Sequence, residues 1–133
     1  MNSAIEIHDS MLTSKNARGN LLEVCLVAYI HKSEGTPGRD AGTGWRQEAA
    51  LTFANGTLEG KIAEYPAHLS DGTLVIDGES LKNQIPIPLS RRGNTELMLE
   101  IINNDPVVIR GSEVHLELRG AATYVEEFPG ENA

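Results

Sequence analysis

The chain is short of cysteine, of aromatic rings and of positive charge, with a single Cys, one Trp, two Phe and three Tyr, and 11 Lys plus Arg against 19 Asp plus Glu. Each shortage excludes something. One thiol, Cys25, closes no internal disulfide, as suits a reducing compartment. A formal charge of -8 repels phosphate backbones and anionic lipid, so neither nucleic acid nor a membrane surface is an expected partner. No apolar run approaches the roughly 20 residues of a membrane-spanning helix. Met1 to His8 has neither the cationic start nor the apolar core of a secretion leader. A soluble, cytoplasmic protein is expected. Aromatic residues at 5% supply few rings for the stacking platform of a sugar binder.

What the chain does have is alternation. Its 133 residues, 40% hydrophobic and 23% charged, suit one domain over 1–133 that buries roughly two-thirds of its unfolded surface. Ile5 and Ile7 alternate with Glu6 and His8. Leu22, Val24, Leu26, Ala28 and Ile30 alternate with Glu23, Cys25, Val27, Tyr29 and His31. Leu97, Leu99 and Ile101 alternate with Glu96, Met98 and Glu100, and Val114, Leu116 and Leu118 with His115, Glu117 and Arg119. Period two is the signature of half-buried strands.

Gly, Asn, Asp and Pro punctuate these runs at spacings of about eight to twelve residues, which predicts an all-β domain. The expected arrangement is an antiparallel two-sheet sandwich, jelly-roll-like, of about eight to ten short strands, with a closed β-barrel as the second choice. Asn55-Gly56 predicts a tight hairpin, and Asp71-Gly72 and Asp77-Gly78 a meander. Ile85-Pro86-Ile87-Pro88-Leu89 must be an edge strand or crossover, because proline has no N–H for a ladder. Arg46 to Ala54 is read as strand despite helix-forming Gln, Glu and Ala. The acidic end at 129–133 is expected to fray.

The segment from Ser33 to Trp45 is the main functional candidate. It carries four glycines and Pro37, and between Lys32 and Arg46 three cations (Lys32, Arg39, Arg46) face two anions (Glu34, Asp40) in an otherwise acidic chain. Glycines allow close backbone approach, and the charge contrast suggests a small polar or anionic ligand. The expectation is a binding or self-association module using Tyr29, His31, Glu34, Arg39, Asp40 and Trp45, with a homo-oligomer as a further expected partner. No Gly-Lys-Ser/Thr, Gly-x-Gly-x-x-Gly or Gly-x-Ser-x-Gly pattern is present, so neither a catalytic residue nor a cofactor is assigned.

Two alternatives stand beside this reading. One is a small metal-dependent or acid/base enzyme using His31, Glu34 and either His8 or His115, with Asp9 joining if the histidines converge. No His-x-His pair supports it, so no metal ligand is assigned. The other is a structural subunit of a larger assembly, marked by an apolar patch; separately, the mixed outer faces with Val27, Tyr29, Met98 and Ile102 suit burial between the subunits of an isologous dimer. Cys25, mid-strand with no neighbouring base, is expected to be a buried inert thiol.

Overall fold

The computed structural model describes residues 1–131. Among the described residues, nine antiparallel strands form one sheet: β1 (Asn2–Arg18), β2 (Leu21–Ser33), β3 (Gly42–Ala54), β4 (Thr57–Glu59), β5 (Ala67–Ile76), β6 (Glu79–Lys82), β7 (Gln84–Ile87), β8 (Ser90–Ile101) and β9 (Val107–Phe128). The all-β expectation holds, but the strands curl into a partial ring that is neither clearly a two-sheet sandwich nor clearly a barrel. Several strands are long and bend at bulges inside them. β1 has register shifts after Glu6 and Leu12. Gly111-Ser112 lies within β9, and Asp71-Gly72 lies within β5, paired with Glu100 and Leu99 just past a register shift between Leu69 and Asp71.

The order β6-β5-β8-β9-β3-β2-β1-β7 meets itself where Met11 and Leu12 of β1 pair with His68 and Ala67 of β5. This seam divides the molecule. In the closed half, the C-terminal part of β1 runs through β2, β3, the first part of β9, β8 and β5 back to itself. In the open half, β7 and the N-terminal part of β1 continue through β2 and β3 to the last part of β9, and no strand among the described residues joins β9 back to β7.

The alternating apolar positions fill the ring. Ile5, Val24, Ala28, Phe53, Leu97, Val107, Ile109 and Val114 are all at most 1% exposed. The void between Ile5, Ile7, Leu12, Leu26, Leu97 and Leu99 is about 10 Å³, about one water's worth of space. The centre is therefore a packed core and not a ligand chamber. Leu118, expected on the same face, is 37% exposed, because β9 has by then run past the start of β8 at Ser90.

Asn55-Gly56 is not a hairpin. Asn55 does take a positive φ of 52°, but β3 and β4 both pair with β9, at Ala54↔Glu113 and Thr57↔Arg110. The two residues interrupt one ribbon opposite Gly111-Ser112, and Asn55 Nδ2 donates to Ser112 Oγ at 2.8 Å. Asp77-Gly78 is a true tight turn, with φ of 48° and 83°. β7, with its proline, lies at the sheet edge as its missing N–H requires.

Candidate functional site

The long loop is shorter than the sequence suggested, because β2 and β3 pair down to Ser33↔Gly42 and only residues 34–41 connect them. Two of its glycines serve close approach within β3. A Cβ at Gly42 would lie 2.0 Å from the Lys32 carbonyl oxygen, and one at Gly44 2.0 Å from the Tyr29 hydroxyl. The connection itself is strapped down. Ser33 Oγ donates to the Ala41 oxygen at 2.7 Å and accepts from Gly35 N–H at 3.0 Å. Asp40 Oδ2 accepts from Thr36 N–H at 2.6 Å, and Gln84 Nε2 donates to the Pro37 oxygen at 2.6 Å. Glu131 N–H donates to the Arg39 oxygen at 3.0 Å; the remainder of the expected frayed end, 132–133, lies outside the described residues.

This strap covers the outer face of the open half, where Tyr29 and His31 project from β2. His31 is 1% exposed. Its Nδ1 accepts the Gly38 N–H and lies 3.5 Å from Glu6 Oε1, while its ring meets Phe128 edge to face at 4.5 Å. Its Nε2 has no hydrogen-bond partner among the described residues. Tyr29 donates its hydroxyl to Glu126 Oε1 at 2.8 Å. Burial first, and the Glu126 carboxylate second, push its phenol well above its ordinary range, so it stays a neutral donor.

The six sequence candidates therefore divide. Tyr29 and His31 share the outer face. Asp40 caps the loop, and Glu34 and Arg39 are exposed on it, with no side-chain partner among the described residues. Trp45 lies on the opposite face, packed against the core end, with Lys32 over its ring at 4.5 Å and Tyr124 edge-on at 5.4 Å. Of the histidines, His8 and His31 flank Glu6, whereas His115 sits in the closed half between Thr52 and Ser90. Cys25 is half-buried on the outer face beside Glu23 and Arg119, where the outward side of β2 places it.

Sequence reasoning missed the residues that organise the site. Between the pairs Glu6↔Tyr29 and Met11↔Val27, the run Ile7 to Ser10 stands opposite Ala28 alone. Ser10 closes this bulge, donating to the Glu6 oxygen at 2.7 Å and accepting from Tyr29 N–H at 3.0 Å. The polar run His8-Asp9-Ser10, breaking an apolar alternation, was the available signal. Beside the bulge opens a cleft of about 400 Å³, lined by His8, Asp9, Ser10, Met11, Arg46, His68, Leu69 and Ile102. Pockets that take small molecules begin near roughly 300 Å³.

The chemistry of the cleft is limited by its wiring. His8-Asp9-Ser10 supplies the residue types of a nucleophilic triad, yet Ser10 is 3% exposed and both of its hydrogen-bonding roles are taken. It has no proton to give to His8. Glu6, His8 and Asp9 offer ligand atoms within 4.8 Å of one another, a spacing that suits a cation. His8 Nδ1, however, accepts from the Asn83 amide, whose oxygen is held by the His8 backbone N–H at 2.8 Å. With Nδ1 accepting, Nε2 is the ring's donor, 3.0 Å from Asp9 Oδ2. A metal ion would need that nitrogen's lone pair, and the second shell favours the hydrogen bond.

No family model, no curated protein and no solved structure matches this chain, so the functional reading rests on geometry.

Proposed function

We propose that this chain is a non-enzymatic binding domain whose working surface is the seam cleft, with the loop at 34–41 as its rigid neighbour. The observation that carries the reading is the convergence of His8, Asp9, Arg46 and His68 on one open cleft beside a packed interior. The locked hydroxyl of Ser10 and the pairing of His8 Nε2 with Asp9 argue for recognition over hydrolysis or metal chemistry. We read the scaffold as a distorted barrel with its interior filled by side chains. Backbone amide spectra recorded against a panel of small polar solutes test the idea. Shifts should centre on His8, Arg46, His68 and Ile102, and should vanish in the double variant Arg46→Ala, His68→Ala. Shifts confined to the loop or to Trp45 would remove the cleft from the proposal.

A second reading, self-association, is favoured by the second edge of β9. From Glu117 to Phe128 this strand has β3 on one side and no strand on the other among the described residues, and Leu118, Tyr124 and Val125 are exposed along it. Such an edge is a template for pairing. Light scattering should show a mass that doubles with concentration; one monomer mass throughout would discard this reading.

A further inference from the structure

We infer that the seam cleft takes a small zwitterion, an α-amino acid with an apolar side chain; this rests on the binding reading above and names its ligand. Two opposite charges line the cleft without being spent on each other. Arg46 forms no ion pair with a carboxylate among the described residues. It donates from Nη1 to the backbone oxygen of Asp9 at 3.3 Å, and its guanidinium carbon sits 5.8 Å from the centre of the Tyr29 ring. These contacts hold the side chain while leaving most of its five N–H donors for an incoming carboxylate, which the planar fork suits. Asp9, 48% exposed at its side chain, accepts from His8 at one oxygen. Its other oxygen has no protein donor among the described residues and is open to an ammonium group.

Electrostatics favour both charges on one ligand. Glu6 lies behind His8, with Oε2 3.8 Å from Nε2, so a simple anion approaching Arg46 meets two carboxylates as well as the field of a chain of charge -8. A simple cation attracted by Asp9 meets Arg46. A zwitterion is neutral at long range and satisfies both groups at contact.

The rest of the lining supplies the apolar subsite. Met11, Leu69 and Ile102 border the cleft, and Ile102 is 56% exposed, a large aliphatic side chain that an apolar ligand group would cover. By contrast, the groove of about 280 Å³ lined by Asp71, Met98, Glu100 and Val108 has carboxylates and no cation along it, so it lacks the paired charges.

The test uses L-leucine and two analogues that each lack one charge, isocaproate (no ammonium) and isoamylamine (no carboxylate), titrated calorimetrically and by amide shifts. Leucine should bind at least about tenfold more tightly than either analogue, since a charge-assisted hydrogen bond is worth about tenfold to hundredfold in affinity. Asp9→Asn and Arg46→Gln should each weaken leucine by about tenfold or more. Both positions are exposed, and an unchanged melting temperature verifies their folding. If an analogue binds in the cleft as tightly as leucine, the zwitterion inference is overturned and the binding reading survives. Should none of the three shift His8, His68 or Ile102, the inference falls; the same silence across the wider solute panel takes the binding reading with it.

Discussion

The closed half around Phe53 and the open half around His31 share four strands, β1, β2, β3 and β9, yet they are held together differently. In the closed half, the strands pair into a ring whose interior is filled by buried apolar side chains. In the open half, the sheet ends at β7 and at the last part of β9, and cohesion passes to polar contacts on the outer face: His31 to Gly38, Tyr29 to Glu126, Gln84 to Pro37. A closed ring satisfies its backbone without help from side chains, whereas an open sheet leaves polar side chains to bind its strands and loop. The candidate cleft lies at the seam between the two, where β1 leaves one arrangement for the other through its bulge.

The sharpest way to break this contrast is to open a cavity in the closed half. Phe53→Ala removes a side chain that is 0% exposed and should cost about 3–5 kcal/mol, with chemical denaturation showing loss of both halves together. Unfolding of the closed half alone would mean that the halves are independent.

Ser10→Ala acts at the seam. It strips a buried acceptor from the Tyr29 N–H and a donor from the Glu6 oxygen, and should cost about 1–3 kcal/mol. Hydrogen exchange should accelerate at Tyr29 and leave Phe53 least affected. Equal acceleration at both would erase the distinction between the halves.

Tyr29→Phe probes the open half alone and should cost about 1 kcal/mol near neutral pH. The sign of its pH dependence follows from the raised phenol. The folded state keeps a proton that the unfolded chain loses above its ordinary value of 10.0. The contribution is therefore full below pH 10 and is lost as pH rises beyond it. Wild-type stability should fall above pH 10 more steeply than that of the Phe variant; parallel curves would contradict the assignment.

The smallest effect is expected from Arg39→Ala. The side chain is exposed and has no partner among the described residues, and the loop is held by backbone bonds that the substitution leaves in place. A change in stability above about 0.5 kcal/mol would show that the strap depends on that charge.

Much of this architecture was legible in the chain. The apolar set of β2 from Leu22 to Ile30 is buried as its alternation required, as are Leu97, Leu99 and Ile101 of β8. Pro86 marked an edge, and Asp77-Gly78 a turn. The errors share a cause: Asn55-Gly56 and Asp71-Gly72 have turn-forming composition, but ribbon breaks and the stretches beside bulges draw on the same residues as hairpins. The site was less legible. The sequence directed attention to loop glycines and cations, while Glu6, the carboxylate between His8 and His31, read only as the solvent side of a strand.

Local alternation by itself determined which side chains enter the interior and that the chain is built of strands, because inward or outward orientation is a property of a single strand with period two. Only the tertiary structure decided which strands meet. His8 is joined to Asn83 across 75 residues and Tyr29 to Glu126 across 97. Such pairings depend on how bulges redirect strands and where a sheet closes on itself, and neither is encoded in any one segment.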